Sequence, residues 1–570
     1  MTGKVLGILL LVCAVSADIN LHNPRGGNNR LDEERRDRKN ANRLFDSQNN
    51  NRGGHNVGKL YYYTGSHLQI QWANQHSCND RNNHCELVLQ YMCGDLVRDG
   101  TTTEMIPENN QGCYNGSCNT DLRLGMHEDN DYYNECKNRE RNKGLFIADR
   151  NLRNRDTAKY TRQNNNGQRR GYECPEERDY YPYWHPTPWR DIAVLTNNAS
   201  RREMYRRESE NVRGRYKCVL PEELKKTQPN FRIPNNKVAC EAVKYPNTDQ
   251  GTPARWVRMS SHRLPAPDCK QSIWSRDNHQ GNVEGGEFMS YDWVVPNTPH
   301  EQCVFRIRYN ITAGEYDGWD PAVNSALNGR RIYYNTKYNL PITDREARNR
   351  GYYYRNDPDV KIFKDVPGFR LRIQINTNQD ARTFQDRSHT FAIRRRPGRL
   401  RRAHIHNVNV RGKRGNIVQV FPSTEYDFVP NTLTMTEGHY VHFQWTGSNS
   451  NPNNNAGEGR RGSDRHNVLP LADPVYSEGV SHAYTYGHLG RNYPKNIKDA
   501  VFLGFSLADK TSLAILSPQH FGGENQQLDD AGPYFDLGPR AVKGKGTYYY
   551  MSTRNNNFTN RSQKGKIVVI

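Results

Sequence analysis

Six histidines stand after residue 406 of this 570-residue chain, His439, His442, His466, His482, His488 and His520, and two more, His404 and His406, lie two apart just before them. Neutral imidazole is a ready ligand for Cu(II) and Zn(II), so clustering of this kind is where metal chemistry would be sought. In extended chain, residues two apart share a face and residues three apart do not. His404 and His406 therefore make the better chelating pair, and His439 with His442 a poor one. His404, His406 and His466 are the metal candidates. Surface or core roles account for all of these histidines without a metal, so no resident cofactor is expected, with copper and calcium left open.

Other catalytic arrangements are thin. Glu315, Asp317 and Asp320 flank Trp319, and paired carboxylates beside an aromatic ring could hydrolyse a sugar or bind calcium. Solvated loop acids are the commoner case. There is no Gly-x-Ser-x-Gly, His-Glu-x-x-His or phosphate-binding glycine loop with its lysine. No residue set argues for an enzyme.

The sharpest charge cluster is Arg394, Arg395, Arg396, Arg399, Arg401 and Arg402, six arginines within nine residues. Guanidinium groups recognise sulfate and carboxylate in a multidentate way, so the expected partner is an acidic glycan or another anionic surface. An exposed basic linker between domains is the plain alternative. Arg399-Leu-Arg-Arg402 is also similar to a proprotein-convertase site, with the cut before Ala403.

Compartment follows from the start of the chain. Lys4, the apolar run Val5 to Val15 and Ser16-Ala17 have the form of a secretory leader at residues 1–17, with cleavage after Ala17 and a mature chain beginning at Asp18. No other stretch approaches the length of a membrane span. Loss of Lys4 takes the formal net charge from +20 to +19. Export favours an extracellular polyanion over nucleic acid. Cys13 leaves with the leader, so eleven cysteines remain: Cys78, Cys85, Cys93, Cys113, Cys118, Cys136, Cys174, Cys218, Cys240, Cys269 and Cys303. In an oxidising compartment these are disulfide candidates, and the odd number implies a free thiol or an intermolecular bridge. Export also gives meaning to the sequons at Asn115, Asn198, Asn310, Asn557 and Asn560. Asn115 lies in a glycine-containing loop and Asn310 at the end of a strand pattern.

The elements that must carry these groups read as strands. Mean hydropathy is low, −1.01, but 34 tyrosines against 17 phenylalanines can still build a core, because only the hydroxyl needs a partner. Residues 18–58 form a polar arm with almost no large apolar side chains, either solvated or docked on a surface, including the sheet edge of a neighbouring molecule. A cysteine-rich β domain spans 59–230, where Leu68, Ile70 and Trp72 alternate with glutamines and the prolines at 182, 186 and 188 exclude a helix. A second β-sandwich spans 231–405, with Val304-Phe-Arg-Ile-Arg-Tyr309 alternating at period two. The block 406–570 has no cysteine; its strand candidates include 417–421, 426–429, 432–435, 440–445, 500–506 and 512–515, closed by Gly546–Met551 and Lys566–Ile570. The fold class is all-β: several β-sandwich domains with long irregular, disulfide-stapled loops.

Two resemblances follow. Phe428-Val-Pro430, Gly438–Phe443, Arg465-His-Asn-Val468 and the two closing strands make 406–570 similar to a cupredoxin domain. The resemblance places His466 at the first copper-ligand position, but Met551 stands where the ligand cysteine belongs and 552–560 contains no histidine, so it implies the fold without type 1 copper. Leu21–Gly26, Asn49–Gly54, Glu173–Trp184 and Met551–Arg561 together resemble the secreted slime-mould developmental protein family of clone name "DD three-three" and its invertebrate relatives. That resemblance covers nearly the whole mature chain and implies secretion, with no catalytic residues. The expectation is a secreted structural or adhesive glycoprotein that self-associates or meets other matrix proteins, with filaments formed through its arm. The alternatives are a secreted metal-dependent oxidase or glycan-active enzyme on the cupredoxin-like frame, and an acidic-glycan-binding lectin-like protein.

Overall fold

Short aromatic and β-branched runs bounded by Gly, Asn and Asp form strands, because such side chains pack on a pleated surface. The computed structural model describes residues 19–26, 58–74, 78–79, 83–95, 97, 132, 135–136, 138–140, 181–275, 288–313, 343–350, 359–360, 363, 365–366, 371–372, 382–412, 426–447, 465–471, 496–516, 531–553 and 563–570. The leader, arm residues 27–57, Cys113, Cys118, Cys174, Asn115, Asn557, Asn560, His482, His488, His520, the acidic trio around Trp319 and the strand expected at 417–421 lie outside them.

The strands used below are β1 (Ile19–Asn23), β2 (Leu60–Tyr63), β3 (His67–Asn74), β4 (Asn83–Cys93), β5 (Arg190–Thr196), β6 (Asp268–Gln271), β7 (Met289–Val294), β8 (His300–Ala313), β9 (Arg382–Arg387) and β10 (Phe391–Arg394). They continue with β11 (Ile405–Gly412), β12 (Tyr426–Val429), β13 (Thr432–Met435), β14 (Tyr440–Thr446), β15 (Leu469–Leu471), β16 (Tyr534–Asp536), β17 (Arg540–Ala541), β18 (Gly546–Met551) and β19 (Lys564–Val569). One sheet runs β6-β5-β4-β8-β10-β2, with β9 beside β8. It faces β1, β3 and β7 across a core that includes Leu21, Leu68, Ile70 and Trp72 on one side and Leu87, Leu89, Phe305, Ile307 and Tyr309 on the other. In the C-terminal part, β13-β19-β18-β15 faces β11 and β14, enclosing Val410, Phe428, Phe443, Trp445, Tyr550 and Ile567.

The boundary expected at 230/231 does not separate two sheets. β4 and β8 pair antiparallel from Cys303↔Cys93 to Ala313↔Asn83, and the Cys93–Cys303 disulfide spans 210 residues. Strands from 59–230 and 231–405 thus alternate within one sheet. Composition marks where strands lie but not which become neighbours, so an interleaved sheet read as two blocks. Cys78–Cys85 and Cys218–Cys240 are also disulfides, Cys136 is disulfide-bonded, and Cys269 carries a free thiol.

Two local features depart from what pattern alone conveys. The period-two pattern of β8 puts Arg306 and Arg308 on the face away from the core, yet both are buried. The proline-rich stretch before β5 covers that face: Arg306 lies 3.8 Å from the centroid of the Trp189 ring and donates from Nε to Gln90 Oε1 at 3.0 Å. A cation on an aromatic face with its donors satisfied tolerates burial. Residues 500–506, expected as strand, are turn and coil, and 512–515 falls at the end of the α-helix Leu507–Ala514. Ser506 caps that helix by accepting from Asp509 N at 3.1 Å, so Ser506-Leu-Ala-Asp509 was the start signal that short apolar runs concealed.

The two parts are joined through one sheet. β11 pairs parallel with β14 and meets β3 at the single register His406↔His67. The described start of the arm completes this seam. β1 pairs with β3, Leu21 N donates to Asp386 Oδ2, Arg25 Nε to Val410 O and Arg411 Nη1 to His22 Nδ1. Residues 19–26 therefore dock on their own chain, where Ile19 and Leu21 gain burial.

Candidate functional site

β11 begins with His404 just outside the strand and His406 inside it, on one face as their spacing requires. β3 brings His67 beside His406 with ring centroids 5.2 Å apart and planes 21° from parallel. The turn before β14 brings His439, whose ring stacks on His404 at 4.7 Å and on His406 at 5.4 Å. His406 Nε2 and His439 Nδ1 are 3.1 Å apart. Burial, then the neighbouring imidazoles His67, His439 and His404, push His406 down to about 4. Burial and the other rings also hold His67 and His439 below the ordinary histidine value, although the Asp292 carboxylate opposes this at His67. At neutral pH these three rings are neutral, with lone pairs available. Spacing found His404 and His406. It could not find His67, which arrives only through long-range strand pairing, and it set His439 aside by testing it only against His442.

The other histidines are committed. His442 is buried, with Nε2 2.7 Å from Asp536 Oδ1, and Tyr61 donates its hydroxyl to the same oxygen. His466 is buried against Tyr426 and Trp445, with Nδ1 2.9 Å from Gln563 Oε1. Met551 ends the closing strand where a blue-copper thiolate would stand, and Asn467 Oδ1 accepts from Thr553 N at 2.8 Å, tying that loop down. No cysteine follows Cys303. These residues do not fit type 1 copper, and His466 does not join His404 and His406.

The arginine stretch splits into two kinds. Arg394 forks onto Glu301 with two 3.0 Å hydrogen bonds and lies 4.5 Å from the Tyr61 ring centroid. Arg396 Nε donates to Thr64 O, and its guanidinium also reaches Ala403 O. Both precede the 3₁₀ turn Gly398–Leu400, and the bond from Arg396 to Ala403 O ties the chain across it. Arg395, Arg399, Arg401 and Arg402 are exposed and meet no carboxylate among the described residues. Leu400 and Ala403 are buried, and Ala403 N donates to Leu400 O, so the Arg402–Ala403 bond sits in a folded turn and not in the extended strand a convertase cleft requires.

Asn198 caps a 3₁₀ turn and accepts from the backbone N of Ser200, its own sequon partner. Asn310 lies within β8, between Glu86 and Thr383, because that strand runs on to Ala313.

A family model of the DD3-3 N-terminal domain matches residues 17–393, and one of the DD3-3 cupredoxin-like domain matches residues 403–569. The chain belongs to the DD3-3 family. No curated protein and no solved structure matches it. The gap between the two DD3-3 matches falls on the arginine turn. The strings by which the sequence resembles DD3-3 do structural work where they are described. Leu21–Gly26 forms the seam, Tyr181 and Tyr183 donate to Asp191 and Gln90 beneath the sheet, and Ser552 and Thr553 anchor to Asn467.

Proposed function

We propose that this DD3-3 protein is an exported, non-enzymatic structural or adhesive glycoprotein that holds an acidic glycan on the turn carrying Arg395, Arg399, Arg401 and Arg402. The observation that carries the reading is the division of labour among six adjacent arginines. Two are spent on Glu301 and on backbone carbonyls, and four face solvent on a turn those two hold in place. A fixed array of guanidinium groups loses less entropy on binding sulfate than a flexible basic tail does.

Three observations support export. They are the leader-like pattern of residues 1–17, the disulfides, and the family whose resemblance implied secretion. In this reading attachment runs through the arginines. Filament formation by arm exchange would fall to residues 27–57, since 19–26 are taken up by their own chain. Heparin-affinity chromatography of the full secreted chain tests the proposal. Replacing Arg395, Arg399, Arg401 and Arg402 by Ser is expected to lower the salt needed for elution markedly, and replacing four exposed lysines elsewhere is expected to lower it much less. Equal losses in the two variants would reduce the effect to net charge and defeat the reading.

A further inference from the structure

We propose that His67, His404, His406 and His439 form a binding site for a divalent transition-metal ion, Cu(II) or Zn(II), that bridges the two domains across their shared sheet. The argument rests on which nitrogens are already in use. His442 and His466 give theirs to Asp536 and Gln563. Within the cluster, His406 Nε2 and His439 Nδ1 contact each other, and no protein group is bonded to the remaining ring nitrogens of the four. Four imidazoles from three separate chain segments are in ring contact, with most of their donors uncommitted.

The distances suit the chemistry. Metal–nitrogen bonds to imidazole are about 2.0–2.1 Å, so two ligands at about a right angle or slightly wider place their nitrogens about 3 Å apart. His406 Nε2 and His439 Nδ1, which share a hydrogen bond, have that separation, 3.1 Å; on metal binding the shared proton moves to the outer nitrogen of its ring or leaves to solvent, freeing both lone pairs. Among the described residues no three metal-ligating side chains already surround one point: His406 and His439 aim their nitrogens at each other, and His404 lies stacked on His439. Rotation of the exposed His404 ring about its side-chain torsions, starting from its stack on His439, supplies the third nitrogen. His67, stacked on His406, is the fourth. Arg396 acts on His67 electrostatically and opposes a cation on that side, whereas Asp292 favours one; His404, His406 and His439 anchor the ion, and His67, the one ligand from the N-terminal domain, carries the bridge. An all-imidazole donor set selects Cu(II) and Zn(II) over calcium or magnesium, which take oxygen.

Because the ligands come from β3, β11 and the turn before β14, metal binding would stabilise the joined state of the two domains. The test uses the full mature chain, stripped with chelator and titrated with CuSO4 or ZnSO4 by calorimetry, with Cu(II) electron paramagnetic resonance and thermal unfolding in parallel. The expected result is one ion per chain, a spectrum with coordinated imidazole nitrogen and a rise in Tm that EDTA reverses. The His406→Gln/His439→Gln double variant should lose the site. His404→Gln, whose ring is exposed and does not challenge folding, should weaken binding about tenfold or more. His300→Gln, at a histidine outside the cluster, should leave it unchanged. Absence of binding in the unaltered chain overturns the proposal, as does affinity that survives both His404→Gln and the double variant.

Discussion

Asn409 Nδ2 donates to Asn23 Oδ1 at 3.0 Å, and both side chains are fully buried. The same group reaches the Tyr62 hydroxyl at 2.8 Å, so one carboxamide ties the N-terminal strand, the N-terminal sheet and the cupredoxin-like domain together. Asn409→Ala leaves buried partners unsatisfied and should cost about 1–3 kcal/mol. Leu21→Ala should cost about 2–5 kcal/mol through the cavity it opens. Denaturant unfolding reads both, and midpoints equal to the parent's would contradict the seam.

The Cys93–Cys303 bridge closes a loop of 210 residues. On the chain-entropy account, replacing both cysteines by Ser should destabilise the folded protein by about 5 kcal/mol. The Cys78–Cys85 pair, separated by only seven residues, should cost distinctly less. Unfolding midpoints of the two double variants decide the order.

Cys269 is a poor nucleophile. Burial, opposed by Arg206 and supported by the negative charges of Asp191, Asp268 and Glu86, pushes its thiol up to about 12. The thiolate is the reactive form, so the native protein at pH 7.5 should resist iodoacetamide at this position and label only after denaturation. Peptide mapping checks this. Rapid native labelling would restore the odd cysteine as a route to an intermolecular bridge.

Burial holds His442 below its ordinary value despite the opposing hydrogen bond and charge of Asp536, with Arg540 acting in the same direction as burial. The unfolded imidazole takes up a proton near pH 6.5 while the folded one stays neutral. The stability contributed by this group is therefore complete above about pH 6.5 and is lost as pH falls toward the lower folded value. His442→Gln should flatten the decline of Tm between pH 7 and pH 5; a decline as steep as the parent's would contradict the sign.

Local pattern carried much of this molecule. The alternation of Leu68, Ile70 and Trp72 named a buried face, His404 and His406 shared one as their spacing required, and the closing strands paired as Gly546–Met551 with Lys564–Val569. What failed to show was long-range. Nothing in 59–230 announces that β4 will lie beside β8, nothing near His67 announces His406, and Arg306 reads as a solvent-facing residue until Trp189 covers it. The arginine stretch was legible as charge, but its separation into two clamps and four free groups depends on Glu301 and Thr64, each remote in sequence.

Distribution of the tagged chain in a culture of secreting cells tests the central claim most directly. The account predicts a mature protein beginning at Asp18, recovered from the extracellular matrix and released by soluble heparin. The variant lacking Arg395, Arg399, Arg401 and Arg402 should appear instead in the medium. Retention inside the cell with the leader attached, or equal matrix retention of the two proteins, would contradict it.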